Sequence, residues 1–473
     1  MRHFSLAPIS GLILAGSLVG CSNFLEGDNL SNDPNAPSEA TVPQLFVGAQ
    51  SLQVILNEGT LARISCIIVQ QCGGTSRQHQ GYGLYVIAED AVDPEFSSLY
   101  VSGGLVDHRA IQTRSIAVGD SAFAGIGMVM EALNIGNAAG LWGDLPYSQA
   151  LTDNPAPALD DQVAIYTGVQ AKLDTAVVYL AATGPTNVGP GLSDLIYGGD
   201  LTKWLRAAYT LKARYHLHMA ELEGAPRYLA AIAAATNGIN DPTGAGDYTT
   251  YHGTGEPESN IWYQFTRIQR SGDIAPGGSL VELMRARSDA RLSTYFAPVA
   301  ATDATGAPCP LASDPLPYGG ANPGDSFDPC TVSDFAAGRT APDFRQPLIT
   351  YDENELLLAE SYARLTDDGN AQLHLNNVRV AKGGLAPSAA VGAALLQEIG
   401  QEQYIVLFQN VEAWATWKRT CTPVLTPASA SPEVYGRLLY GNTERNANPN
   451  IPAPGVEPNA GRNDNDPNPC PTS

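Results

Sequence analysis

The segment LWGDLPYSQA at residues 141–150 is the part of the sequence that says most about the fold. It follows a run in which small residues recur at helical spacing, from Ala122 to Ala139. Small side chains on a helix let neighbouring backbones approach closely. We therefore predict a tightly packed helix over residues 121–141. Trp142 and the residues after it have the pattern of a helix-end turn, so we expect Trp142 to be structural.

Helical periodicity continues on both sides of this segment. Apolar residues three and four positions apart predict helices in the windows 45–56, 165–180, 204–218, 228–236, 353–365, 371–381 and 393–418. Strand signals are few, the best being Gly83–Ile87 and short runs around Phe344–Thr350. Pairs of helices with small faces and large aromatic residues favour tetratricopeptide-type stacking, in which each unit packs only on its neighbours. The sequence predicts an all-α fold.

Residues 240–345 interrupt the helical pattern with Gly, Pro, Asp, Asn and scattered aromatic residues. An irregular segment of this length in a compact protein is either disordered or functional. Two cysteines lie inside it, so we expect an ordered, loop-rich functional surface.

The N-terminus has the features of an export signal for a lipoprotein. Residues 1–20 combine a short basic start with an apolar run too short to span a bilayer. The run ends in LVGC at residues 18–21, a lipobox pattern, so we predict that Cys21 is lipidated; the alternative is an ordinary signal peptide that contains a cysteine. Residues 21–42 then read as the lipidated cysteine and a flexible tether, and residues 43–473 as the body of the protein.

Six cysteines remain once Cys21 is assigned to the lipid, and an even number in an exported chain favours disulfides. Of the 15 possible pairings, nearness in sequence suggests Cys66–Cys72, Cys309–Cys330 and Cys421–Cys470. The last pair would attach the C-terminal tail to a helix end. A zinc site is the alternative, but the chain has no Cys-x-x-Cys pair, and we expect no metal.

Composition and motifs argue against several classes of function. The formal net charge is −22, whereas nucleic-acid binding needs clustered Lys and Arg. The sequence contains no Gly-x-Ser-x-Gly, no His-Glu-x-x-His and no phosphate-binding glycine loop after a strand. Asp464–Asp466 offer oxygen ligands for calcium, but the segment lacks the Gly and Glu of an EF-hand loop. We therefore expect a solvated tail there. We expect neither enzymatic activity nor a cofactor.

The decapeptide resembles the WGD-[IVL]-PYSEA segment of the SusD/RagB family of lipoproteins. Further stretches resemble the family in the same order along the chain: DLIYGGD at 194–200, KW at 203–204, TLKAR at 210–214, PLITY at 347–351, LAE at 358–360, the segment 399–408, EAW at 412–414 and RNANPNIP at 445–452. The opening of the tether, residues 32–41, also fits. The cysteine set and the insertion near 301–341 depart from the family pattern. We expect these departures to affect which substrate is bound rather than the class of protein.

The resemblance implies a right-handed superhelix of tetratricopeptide-like helix pairs on one side and variable loops on the other. In that family the helical side packs against a SusC-like TonB-dependent barrel in the outer membrane, and the loops bind a glycan or a peptide. The expectation is therefore a lipid-anchored, surface-exposed nutrient-binding protein that captures oligosaccharide for import. A peptide-binding RagB-like subunit, a surface glycoside hydrolase and a ligand-free helical adaptor are the alternatives.

Sugar capture requires aromatic faces for stacking on C–H surfaces and polar groups for the hydroxyls. Two regions offer this mixture, one at residues 77–85 and one at residues 248–264. The predicted ligand-binding residues are Arg77, Gln78, His79, Tyr82, Tyr85, Tyr251, His252, Asn260, Trp262 and Tyr263, with Tyr248 and Gln264 beside them. For Tyr251 and Trp262, packing in the core is an equally weighted alternative. Trp204, Trp414 and Trp417 lie on predicted helices and are assigned to the core.

Overall fold

The structure, a computed structural model, describes residues 40–428, 431, 433–456 and 461–471. The predicted signal peptide, the predicted lipidation site Cys21 and the tether up to residue 39 lie outside the described residues.

The described chain is mostly helical. Its α-helices within the described residues are α1 (Val42–Glu58), α2 (Thr60–Ile68), α3 (Arg77–Gly83), α4 (Asp93–Ser98), α5 (Leu105–Ala117), α6 (Ser121–Trp142), α7 (Gln162–Ala181), α8 (Leu201–His218), α9 (Ala220–Glu223), α10 (Ala225–Ala235), α11 (Ile261–Tyr263), α12 (Gly278–Ala286), α13 (Leu292–Tyr295), α14 (Tyr351–Arg364), α15 (Asp368–Arg379), α16 (Gly392–Val406), α17 (Glu412–Thr420) and α18 (Asn442–Ala447). Of these, α9, α11 and α13 are only three or four residues long.

Six short strands in the described part of the chain form three antiparallel pairs. The strands are β1 (Cys72–Gly74), β2 (Tyr248–Thr249), β3 (Ile274–Pro276), β4 (Phe296–Ala297), β5 (Asp334–Phe335) and β6 (Pro347–Ile349). β1 pairs with β3, β2 with β6 and β4 with β5, so each pair ties the segment between 240 and 345 to itself or to the helical part.

Consecutive helices pack side by side. α5, α6, α7 and α8 form one run of neighbours, which α10, α14, α15 and α16 continue. Aspartate side chains define several helix starts: Asp120 accepts a hydrogen bond from Phe123 N at 3.0 Å, and Asp161 caps α7 in the same way. The predicted all-α fold of tetratricopeptide-like helix pairs is confirmed.

Helix α6 is enclosed by the other helices, because every residue from Ala122 to Trp142 is buried. Small residues make this possible: a Cβ at Gly136 would lie only 2.1 Å from the ring of Tyr215. The helix ends where Gly143 adopts a φ of 81°, which strains residues other than glycine. Trp142 is fully buried and its indole N–H donates to the Leu439 carbonyl at 2.9 Å, as a structural residue should.

Charged side chains are paired inside the helical part. Arg214 donates to both carboxylate oxygens of Glu353, at 2.6 and 2.7 Å. His218 bridges the Glu412 carboxylate at 2.8 Å and the Tyr166 hydroxyl at 2.7 Å. All five residues are buried, and removing one partner of such a pair leaves an uncompensated charge in the core.

Two of the predicted elements are wrong. The helix expected over 393–418 is two helices, α16 and α17, because Gln409 takes a left-handed φ of 64° and the Asn410 side chain accepts from Glu412 N. The strand expected at Gly83–Ile87 is instead the end of α3 and a turn, in which Tyr85 has a φ of 60°. The strand signal around 344–350 is confirmed by β6.

The C-terminal tail is not solvated as the sequence suggested. Asp466 is buried and lies 2.8 Å from the Lys418 ammonium group, and Asn465 donates to the His218 carbonyl at 2.9 Å. These contacts place the tail against the ends of α8 and α17. The disulfide Cys421–Cys470 holds it there, and Cys66–Cys72 and Cys309–Cys330 are also formed, so all three suggested pairs are confirmed.

Opening the tail disulfide should destabilise the protein. We expect the double variant Cys421→Ser/Cys470→Ser to lose about 2–4 kcal/mol of unfolding free energy, because the released tail also gives up the buried pair of Lys418 and Asp466. Limited proteolysis should cut the tail first, and denaturant unfolding should give the loss. Cys309→Ser/Cys330→Ser is the matched control and should leave the tail protected. Equal cleavage of the tail in both variants would contradict this role.

Trp262 belongs to the core. Its side chain is fully buried, with its ring edge-on to Phe335 at 5.9 Å between centroids. We expect Trp262→Ala to cost about 3–5 kcal/mol of unfolding free energy, since it leaves a cavity. Tyr251→Ala, at an exposed position, should change stability by no more than about 0.5 kcal/mol. Urea unfolding of both variants would measure this, and similar losses for the two would refute the assignment.

Candidate functional site

A groove of about 620 Å³ runs between the outer face of α1 and the segment after β2. Its walls are mixed in character, with aliphatic, hydroxyl, amide and carboxylate groups: Ser51, Val54, Ile55, Leu195, Tyr251, His252, Pro257, Glu258, Ser259, Ile261 and Gln264. A smaller depression of about 60 Å³ shares four of these residues and extends the groove toward Tyr248 and Leu348. Concave sites that combine apolar walls with a few polar groups are the usual form of ligand sites.

Tyr251 presents an aromatic ring at the groove. The side chain is 49% exposed, and the residue lies two positions after the end of β2. The Arg345 guanidinium lies 5.7 Å from the centroid of the ring. Arg345 also donates to the carbonyls of Thr250, at 2.7 Å, and Leu195, at 3.1 Å. One arginine therefore fixes the position of the ring relative to the opposite wall of the groove.

The floor beneath Tyr251 is a cluster of buried aromatic rings. Tyr248 meets Trp204 and Tyr197 edge-on, at 5.3 and 5.8 Å between centroids. The Tyr248 hydroxyl donates to the Gln53 side chain of α1, and burial raises the pKa of this phenol well above its usual value. These contacts make the floor rigid, since packed edge-to-face rings have little freedom to move.

A histidine and a glutamate join the two walls of the groove. His252 Nε2 lies 2.9 and 3.0 Å from the two carboxylate oxygens of Glu58, which is fully buried on α1. Nδ1 of the same ring faces the Glu258 carbonyl at 3.2 Å, and Asn260 donates to Glu58 at 3.2 Å. Both ring nitrogens therefore face oxygen atoms, and the imidazole links the loop after β2 to the buried carboxylate on α1.

The predicted residues of the second region divide between surface and core. Tyr251 and His252 line the groove, together with Tyr248 and Gln264. Asn260 and Trp262 are fully buried, so we reassign them from ligand contacts to support of the loop. Tyr263 is half-buried and is not among the residues that line the groove.

The predicted residues of the first region lie beside the same loops but do not line the groove. Arg77 and Gln78 are exposed and Tyr82 is half-buried, whereas His79 and Tyr85 are buried.

His79 and Tyr85 have internal partners, so we reassign them to packing. His79 packs on Phe265, 5.0 Å away, and burial together with three nearby arginines lowers the pKa of its imidazole to about 4. Tyr85 stacks on Tyr435 at 5.3 Å. Arg77 pairs with Asp273, the residue directly before β3.

Sequence reasoning missed several groove residues. Ser51, Val54 and Ile55 lie off the core stripe of α1, and Arg345 and Leu195 come from separate segments. Ile55 gave a usable signal, because an isoleucine outside the apolar stripe of an amphipathic helix is exposed and here is 48% accessible. Nothing in the sequence around Arg345 indicates that its side chain reaches the residues at the groove.

One acidic cluster elsewhere could hold a cation. Carboxylate oxygens of Asp144, Asp161 and Asp464 lie within 4.8 Å of one another. Asp144 already accepts from Gln162 N at 2.9 Å and Asp161 from Val163 N at 2.8 Å, so both act as caps at the start of α7. Within the described part of the chain, no helix is long and apolar enough to cross a bilayer.

Known proteins share this fold. No curated protein sequence matches the chain. A solved chitin-binding protein superposes with a TM-score of 0.74 at 22% identity, over 89% of this chain and 100% of its own. A SusD/RagB family protein from Bacteroides thetaiotaomicron gives a TM-score of 0.71 at 20% identity, over 87% and 95% of the two chains. A chitin-binding SusD homologue from Flavobacterium johnsoniae gives 0.71 at 18% identity, over 89% and 96%.

The sequence also matches a family model over most of its length. This model, SusD-like_2, is described as "Starch-binding associating with outer membrane" and matches residues 34–440. The match includes the decapeptide at 141–150 and every groove residue named above. It confirms the resemblance seen in the sequence: the chain belongs to the SusD-like family.

Proposed function

We propose that the protein is a cell-surface binding protein that captures oligosaccharide in the groove beside Tyr251. The exposed ring of Tyr251, held by Arg345, is the observation that carries this proposal. A ring in this position can stack on the C–H face of a pyranose, while Ser51, Gln264 and Glu258 offer groups for its hydroxyls. The two solved relatives described as chitin-binding, and the starch-binding description of the family, support a glycan as the ligand class.

Binding without cleavage fits the carboxylates of the groove. Hydrolysis of a glycosidic bond uses two carboxyl groups that flank the bond. Among the described residues that line the groove, Glu258 is the only carboxylate, and nearby Glu58 is fully buried and engaged with His252. This supports a capture role rather than a glycoside hydrolase.

A peptide is the second candidate ligand, as in RagB-like members. Val54, Ile55, Leu195 and Ile261 give the groove more aliphatic surface than sugar stacking requires. Such walls would accept apolar side chains of an extended peptide.

The proposal also includes a role in transport across the outer membrane. Lipidation at Cys21 would hold the protein at the outer membrane, and a SusC-like TonB-dependent barrel would import the captured ligand. The lipobox and the match to an outer-membrane-associated family support this placement.

Loss of the Tyr251 ring should weaken ligand binding. We expect Tyr251→Ala to reduce affinity about tenfold, roughly 1.4 kcal/mol, because the stacking face is removed, whereas Tyr251→Phe keeps the face and should bind nearly as well. Calorimetric titration with chitin- and starch-derived oligosaccharides and with mixed peptides would measure this. Phe327→Ala, at a half-exposed aromatic residue outside the groove lining, is the control. Glycan binding that is unaffected by Tyr251→Ala would move the site elsewhere, and binding of peptides alone would favour the second candidate.

The transport role predicts a stable partner. Native purification from detergent-solubilised outer membranes should yield a TonB-dependent barrel in roughly equal amount, identified by mass spectrometry. A lipoprotein that purifies alone under the mildest detergents would argue against the role in import.

A further inference from the structure

The depression of about 60 Å³ beside Tyr251 differs in chemistry from the groove it opens from. Its apolar walls are formed by Val54, Leu195, Ile196 and Leu348. It ends against the core, because Leu348 and Tyr248 in its lining are almost fully buried. A space of this size holds a group of a few non-hydrogen atoms, since one water molecule needs roughly 10–15 Å³.

The two glutamine side chains of the depression are already hydrogen-bonded inside the protein. Gln50 donates to the Ser193 carbonyl at 2.9 Å and accepts from Leu195 N at 2.8 Å. Gln53 accepts from the Tyr248 hydroxyl and donates to a backbone carbonyl of α6 at 3.2 Å. Neither amide therefore needs a ligand to satisfy its hydrogen bonds.

The serine and threonine hydroxyls of the depression are engaged in the same way. Ser51 donates to the Val47 carbonyl at 3.0 Å, and the Thr250 hydroxyl accepts from Gln346 N at 2.9 Å. Among the described residues that line the depression, every polar side chain except that of Tyr251 thus has a partner within the protein. The inner part of the depression therefore suits a small apolar group such as a methyl.

Arg345 lies at the rim of the depression. Its Nε donates to the Thr250 carbonyl at 2.7 Å, and its Nη2 to the Leu195 and Ile196 carbonyls at 3.1 and 3.2 Å. All three of these residues line the depression. The arginine is exposed, and no described residue accepts a hydrogen bond from its Nη1. This nitrogen can therefore donate to a carbonyl oxygen of a bound ligand.

We infer that the groove selects sugars that carry an acetamido group. The pyranose ring would stack on Tyr251, the acetyl methyl would enter the depression, and the acetamido carbonyl would accept from Arg345. The inference rests on the proposed capture of oligosaccharide beside Tyr251 and names the substrate class of that site.

The acetamido group matches the depression because it joins a methyl and a carbonyl oxygen in one planar unit. The apolar walls take the methyl, and the guanidinium at the rim takes the oxygen. A hydroxyl at the same ring position, as in a glucose polymer, is too short to cover the apolar walls and brings a polar group that finds no partner inside. The depression thus distinguishes the two kinds of sugar.

A set of β-1,4-linked trisaccharides that differ only at carbon 2 tests this inference. Cellotriose carries hydroxyls there, chitotriose carries amines and triacetylchitotriose carries acetamido groups. Calorimetric titration of the full chain would give the three affinities. We expect triacetylchitotriose to bind about tenfold more tightly than either of the others, since it adds a buried methyl and a hydrogen bond.

Filling the depression should remove this preference. Ile196 lines the depression but not the groove, so Ile196→Phe leaves the face of Tyr251 open. We expect the ratio of the affinities for triacetylchitotriose and cellotriose to fall close to unity, because the added ring occupies the space of the methyl. Ile116→Phe, at an exposed isoleucine of α5 outside both linings, is the matched control and should keep the ratio.

The same titrations separate this inference from the proposed function. Equal affinities for triacetylchitotriose and cellotriose, both lowered by Tyr251→Ala, would overturn the acetamido assignment and leave glycan capture intact. A preference that chitotriose shares, or that Ile196→Phe retains, would overturn it as well, and so would binding of maltotriose alone. Binding of no glycan would contradict the proposed function and this inference together.

Discussion

The close approach of Tyr215 to Gly136 is the contact on which the rest of the helical part depends. It lets α8 lie against α6 at a distance that a Cβ at Gly136 would prevent. The Tyr215 hydroxyl then donates to the Leu133 carbonyl at 3.1 Å and so fixes the register of the two helices. Since α6 has no exposed face, its neighbours must enclose it, and the run of paired helices follows from that requirement.

The loop side is built on this helical frame rather than on a sheet. Three strand pairs of two or three residues each could not be stable alone. They are held by side chains that reach across segments distant in sequence, as Arg345 does for residues 195 and 250 and Glu58 for residues 252 and 260. Loops supported in this way can vary in sequence while the helices keep their packing, which is how one fold accommodates different ligands.

The helical part was predictable from the sequence because its signals are local. Apolar spacing located α1, α6, α7, α8 and α14, and nearness in sequence was enough to pair the cysteines. The predictions were wrong or undecided where contacts with residues distant in sequence determine whether a side chain is buried. Asp466 appeared solvated because its partner Lys418 lies 48 positions earlier, and Trp262 could equally have been exposed or buried until the packing of Phe335 was known. The groove depended on the same kind of information, and of the residues that line it only Tyr251, His252 and Gln264 were identified from the sequence.

The buried tail makes the packing of three helix ends depend on one covalent bond. Residues 463–466 fill the space at the ends of α6, α8 and α17, which are far apart in sequence. These residues have no helix or strand of their own, and the disulfide between Cys421 and Cys470 fixes the segment that carries them. Reduction of this disulfide would release the segment and with it the contacts that join the three helix ends. The stability of the helical part is therefore coupled to the redox conditions around the protein.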